Sequence, residues 1–153
     1  MQLIYPKENI NKNGLTIFLA GPSPRKNEDI SWRREAIKLF EKNEFRGTLI
    51  LPEEKPGVDT RPDYTDQIEW EEEGLTESDI IVFWIPRDLD TFPGFTTNIE
   101  WGKWLEKEPS KLILGSPKDT PKMDYLNYYA DKSNVPRFDN LEKLIEFIIE
   151  RDK

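Results

Sequence analysis

The sequence predicts an α/β fold with a doubly wound parallel sheet, and three observations carry that prediction. Short apolar runs closed by Gly or Pro recur along the chain, as strands buried on both faces should. Segments with helical spacing separate them, and such alternation favours right-handed crossovers with helices on both faces of the sheet. The length, 153 residues, suits one domain spanning positions 1–153.

Four strands are clear: "LTIFLAG" (15–21), "GTLILPE" (47–53), "DIIVFWIP" (79–86) and "KLILGS" (111–116). "NVPRF" (134–138) is a fifth, whose Pro confines it to a sheet edge. Five strands suggest a flavodoxin-like order. One helix is expected from about 29 to 43, with Trp32, Ala36, Leu39 and Phe40 inward, and another over 64–76. The final helix is the most regular, since Leu141, Leu144, Ile145, Ile148 and Ile149 repeat on one face behind an Asn140 cap. Ligands of such sheets bind beyond the carboxyl ends of the strands. The loops of interest are therefore "AGPSPRKNED", "PEEKPGVDTRPDY", "PRDLDTFPGFTTN" and "GSPKDTPKMD". The Pro- and Gly-rich stretch 52–62 reads as a long loop over the site rather than a domain boundary, because neither half alone would hold a complete sheet.

Charge and composition narrow the chemistry. Twenty-two basic against 30 acidic residues give a net charge of −8, which repels nucleic acid. With no Cys and no His, disulfides, thiolate catalysis and the commonest metal ligands are excluded. Catalysis would fall to carboxylates, hydroxyls, Arg or Lys. The acids Glu53, Glu54, Asp59 and Asp63 lack a ligand spacing, so no metal is expected. No apolar run is long enough to span a membrane and the N-terminus lacks a signal-like core; the expectation is a cytoplasmic protein without a membrane partner.

Two acids stand out. In the helix over 64–76, Tyr64, Ile68 and Leu75 define an inward stripe, and Glu71 falls on that same face. A carboxylate buried there would have a raised pKa or a hydrogen-bonding partner, as acid–base groups do. The alternative is an acidic solvated face, with Glu72 and Glu73 outward and Glu71 at its edge. Glu100 also has two readings. Thr97-x-x-Glu100 matches a capping box, which spacing alone favours. The same place, in the first turn of a helix at the sheet's rim, would keep a carboxylate ionised and able to act as a nucleophile. Arg25, Arg33 and Arg87 lie near the same edge and suit an anionic or polar ligand, although ion pairing explains any one of them. "AGPSPR" resembles a phosphate-cradling turn only weakly. Trp32, Trp84, Phe95 and Trp101 read as core, the alternative being that one of them stacks on a flat base.

"IFLAGPSPR", "SWRREAI", "YTDQIEWEEEGLTESDIIVFWIPRD" and "FPGFTTNIEWGKW" together resemble the nucleoside 2-deoxyribosyltransferase-like family, over roughly 15–104 and more loosely through "LGSPKDTPKMDYL". The resemblance implies that Glu100, two residues before Gly102, is the nucleophile attacking an anomeric carbon. It implies that Glu71, eight residues before Asp79, contacts the leaving base, although the family more often has Asp there. The substrate-binding set it suggests is Gly21, Pro22, Ser23, Arg25, Arg33, Arg87, Gly94, Thr97 and Asn98. No cofactor is implied, and the ligand would be a nucleoside or nucleotide. Phe18 and Gly94 depart from the pattern: members have a first-strand Tyr that orients the nucleophile, and an Asp or Ser six residues before it. Members are usually homo-oligomers in which a neighbour's loop completes the pocket, so a dimer or larger assembly is expected, with Ser116, Met123 and Asp124 reaching a partner's site. The alternatives are an N-glycoside hydrolase, a non-catalytic nucleotide-binding module of the same fold and, with least support, a metal-dependent phosphohydrolase.

Overall fold

The computed structural model describes residues 1–25, 30–55 and 64–152. Its strands are β1 (Gln2–Ile4), β2 (Thr16–Ala20), β3 (Thr48–Ile50), β4 (Ile80–Trp84), β5 (Leu112–Gly115) and β6 (Arg137–Phe138). Its helices are α1 (Arg33–Lys42), α2 (Tyr64–Glu77), α3 (Phe95–Lys107), α4 (Asp124–Lys132) and α5 (Leu141–Arg151). All strand pairs are parallel and the sheet order is β1-β3-β2-β4-β5-β6.

Apart from β1, that order is the flavodoxin-like one. The expected five strands are present, and β1 makes a sixth, in register with β3 from Gln2 opposite Thr48 to Ile4 opposite Ile50. A three-residue edge strand is too short to show a pattern, which is why the sequence reading omits it. β6, which begins directly after Pro136, forms the opposite edge, as expected.

Two apolar layers sandwich the sheet. On one face Trp70 and Leu75 of α2, Trp101 and Trp104 of α3, and Leu126 and Ala130 of α4 pack against Phe18, Ile81, Phe83 and Leu114. On the other, Trp32, Ala36 and Phe40 meet Leu144, Ile145 and Ile148 of α5 over Ile17, Leu19, Val82 and Ile113. These side chains alternate along β2 and β4, so each strand serves both layers. After Thr16 the central strands β2 and β4 are apolar because neither face meets water.

Local signals set the helix limits. Asn140 accepts the Lys143 N–H at 2.9 Å and caps α5 as its spacing predicts. Helix α1 starts at Arg33, later than the expected 29, and 26–29 lie outside the described residues. The expected loop over 52–62 also falls largely on undescribed positions, 56–63. Met123, expected to reach a partner, is instead buried in its own chain's core, with Asp124 exposed and Ser116 half-buried.

Candidate functional site

The chain runs from β2 to β3 on one side and returns to β4 on the other, so crossovers diverge between β2 and β4. That divergence leaves a crevice at the carboxyl ends of the two strands. A cleft of about 610 Å³ opens there, within the range of small-molecule sites. Gly21, Pro22, Ser23 and Arg25 form the wall after β2, Gly94 and Thr97 the wall after β4, and Glu71 and Glu100 project from α2 and α3.

Gly21 is required by two constraints. Its φ is 141°, and a Cβ there would lie 2.1 Å from the Trp84 carbonyl oxygen at the end of β4. Only glycine lets the two strand ends approach so closely. Gly94 has φ 65° and is the residue from which α3 departs. This corrects the capping-box reading. Thr97 and Glu100 both lie inside the helix, no side chain caps it, and Glu100 sits in its second turn rather than its first.

The helix terminus therefore does not keep Glu100 ionised. Burial pushes its carboxyl up to about 7, the nearby charge of Glu71 adds to this, and Arg33 opposes it. Glu71 is also raised by burial, offset by a hydrogen bond from Gln67 Nε2 at 2.8 Å and by Arg33. Because the two carboxyls interact, their protons belong to the pair. This is the placement of Glu71 that helical spacing marks, although Ile68 of the same expected stripe is 46% exposed and lines the cleft mouth. The inward placement of Tyr64 lies outside the described side chains.

The three arginines divide. Arg25 is exposed and lines the cleft, its Nη1 donating to the Asp90 carbonyl at 3.4 Å. Arg33 is fully buried behind the wall, in an ion pair with Glu53 at 2.9 Å, and does not line the cleft. Arg87 is buried too, donating to Asn98 Oδ1 and to the Lys122 carbonyl, and neither Arg87 nor Asn98 lines the cleft. The structure thus brings together eight of the expected positions and leaves Arg33, Arg87 and Asn98 outside.

Several lining residues are not among the expected site positions. Gln67 lies one turn before Glu71, the spacing of a side-chain pair on a helix. Phe95 and Ile99 rim the mouth at 68% and 72% exposure, so Phe95 is not the core residue expected, whereas Trp32, Trp84 and Trp101 are buried. Lys103 also lines the cleft, tied to Glu72 at 2.6 Å. Among the described residues no group of acids is arranged to hold a metal ion, and no helix is long and apolar enough to cross a membrane.

A doubly wound sheet with paired carboxyls in its switch-point crevice defines a class of small-molecule-binding α/β proteins. Residues 14–119 match the family described as nucleoside 2-deoxyribosyltransferase like, and the chain belongs to that family. No curated protein matches the sequence closely enough to count as a relative.

Proposed function

We propose that this chain is an enzyme that cleaves or exchanges the N-glycosidic bond of a nucleoside or nucleotide. The observation that carries the reading is that Glu71 and Glu100, from different helices, face one cleft with carboxyls raised by burial. Family membership supports the substrate class.

In the first step a carboxylate oxygen of Glu100 forms a bond to the anomeric carbon as the bond from that carbon to the base nitrogen breaks. The departing electron pair goes to the base, which takes a proton from Glu71. Burial raises both carboxyls, and positive charge developing on the sugar favours the form in which Glu100 is ionised and the pair's proton sits on Glu71. In the second step a nucleobase nitrogen, or water, attacks the same carbon and releases Glu100, with Glu71 accepting the proton. Two displacements retain configuration. Phe18 has no hydroxyl to orient Glu100, whose charge state follows from burial first, then from the neighbouring Glu71 and the opposing charge of Arg33.

Ser23 and Arg25 are the cleft groups suited to a 5′-phosphate, and a neutral nucleoside would dispense with them. Assembly into at least a dimer is part of this reading. Ile68, Phe95 and Ile99 give the mouth an apolar rim, and a surface laid over that rim would exclude water and favour exchange over hydrolysis. Incubation with deoxynucleosides and their 5′-monophosphates, with and without a second base, tests the proposal. Exchange appears as a new nucleoside, and hydrolysis as free sugar in both arms. A Glu100→Gln protein that folds and still releases base would overturn the role of Glu100, and no base release from any substrate by the wild type would overturn the activity.

A further inference from the structure

Arg33 is among the largest side chains wholly withdrawn from solvent, and every arm of its guanidinium is held. Nε donates to the Leu19 carbonyl at 2.9 Å and Nη2 to the Gly21 carbonyl at 2.8 Å. Nη1 donates to Ser23 Oγ at 3.1 Å and to Glu53 Oε2 at 2.9 Å. Leu19 belongs to β2, and Gly21 and Ser23 to the cleft wall that follows it. One side chain from α1 therefore pins a strand end and the adjacent wall. The planar fork suits this task, since its donors point in fixed directions that a lysine cannot reproduce.

Its charge has a second consequence. Burial disfavours the charged guanidinium, while its ion-pair partner Glu53 first, and then Glu100 and Glu71, favour it. Glu53 is itself held by the Ser31 hydroxyl at 2.7 Å, and Ser31 Oγ accepts the Arg33 backbone N–H at 3.2 Å. Among the described residues, the other charged groups lining the cleft are Glu72 of α2, tied to Lys103 of α3, and Arg25 of the wall.

We propose that Arg33 is a positioning residue for the cleft: its guanidinium fixes the wall from Gly21 to Ser23, and its charge, partly cancelled by Glu53, favours the ionised forms of the Glu71–Glu100 pair. Glu53 is then the element that tempers the field. Removing its charge leaves the attraction of Arg33 for the pair uncancelled and removes a repulsion, both of which favour the ionised carboxyls. The consequence for turnover rests on the glycosidic reading above, whereas the consequence for titration does not.

The test is a carbon-detected NMR titration of the glutamate carboxyls in the ligand-free protein, with the pH profile of base release measured alongside. Glu53→Gln should lower the midpoints of the Glu71–Glu100 pair by about half a unit or more. Arg33→Met should raise them. Arg33→Lys, which keeps the charge and loses the fork, should hold the midpoints near those of the wild type while kcat/KM falls about tenfold or more. Unmoved or raised midpoints in Glu53→Gln overturn the electrostatic half, and wild-type kcat/KM in Arg33→Lys overturns the positioning half. Should Arg33→Met fail to fold, Glu53→Gln decides the electrostatic half alone, because Glu53 is partly exposed and its replacement is isosteric. If the wild type releases no base, the proposed function fails while the titration still judges the electrostatic half, and chemical shifts of the Gly21 and Ser23 amides left unchanged in Arg33→Lys overturn the positioning half.

Discussion

The ring of Phe18 on β2 lies directly against Gly74 on α2: a methyl group built on Gly74 would come within 2.9 Å of Phe18 Cε2 and 3.2 Å of Ile50 Cγ2. Helix α2 can lie this close to the sheet because position 74 has no side chain. The contact sits one turn after Glu71, so it helps set the depth at which that carboxyl enters the cleft. Gly74→Ala should destabilise the protein by about 1–3 kcal/mol through overpacking, against a smaller gain in helix propensity. Urea unfolding checks this. A variant as stable as the wild type would mean that α2 shifts freely on the sheet.

A second expectation concerns pH. Glu100 has a folded pKa of about 7 against an ordinary 4.5, so unfolding releases its proton anywhere between those values. For an acid raised on folding, the stability it contributes is fully present below about pH 4.5 and is lost as pH rises through about 7. Glu100→Gln removes this titration. The variant should therefore be more stable than the wild type at pH 8, by up to about 3 kcal/mol, and nearly equal to it close to pH 5. Burying a titrating acid at the cost of stability is what a functional site does. An advantage that is absent at pH 8, or equally large at both pH values, would show that burial of Glu100 is not what raises its pKa.

Gln67 offers a sharper handle on the other acid. Its Nε2 donates to Glu71 Oε1 at 2.8 Å and stabilises the ionised form, opposing the desolvation that raises this carboxyl. Gln67→Leu removes the donor and makes the surroundings less polar. The Glu71 midpoint should move up, by about half a unit to one unit, which carbon-detected NMR of the glutamate carboxyls would read. In turnover the ionisation that limits activity should move to higher pH by a similar amount. A downward shift would contradict the assigned hydrogen bond.

Much of this architecture is legible in the chain, for physical reasons that differ from element to element. The runs around Ile17 and Val82 announce central strands because burial on both faces demands unbroken apolar sequence. Asn140 and the apolar face behind it announce α5 because a cap and a stripe are both local. Glu71 is legible because a charge on an apolar helical face needs a reason. Long-range relationships are not visible in this way. Arg33 ends on the carbonyls of Leu19 and Gly21, contacts that no local spacing encodes. Thr97-x-x-Glu100 has the letters of a capping box, but the left-handed Gly94 begins the helix three residues earlier. Phe95 and Ile99 have the composition of core, and only their position at the cleft mouth explains their exposure.

That exposure makes Phe95 the place where binding and stability should separate. Its ring is 68% exposed beside the cleft, so truncation removes little that the folded chain itself uses, and Phe95→Ala should change the melting temperature hardly at all. A nucleobase covering the ring would bury it, and such contacts contribute about 1–2 kcal/mol. Phe95→Ala should then raise KM for the base-bearing substrate by roughly tenfold and leave kcat nearly unchanged, the signature of an interaction equal in ground and transition states. Steady-state kinetics with one purine and one pyrimidine nucleoside would measure this, and similar effects on both would follow from stacking, because every base offers a flat face. An unchanged KM with both substrates would place the base elsewhere in the cleft.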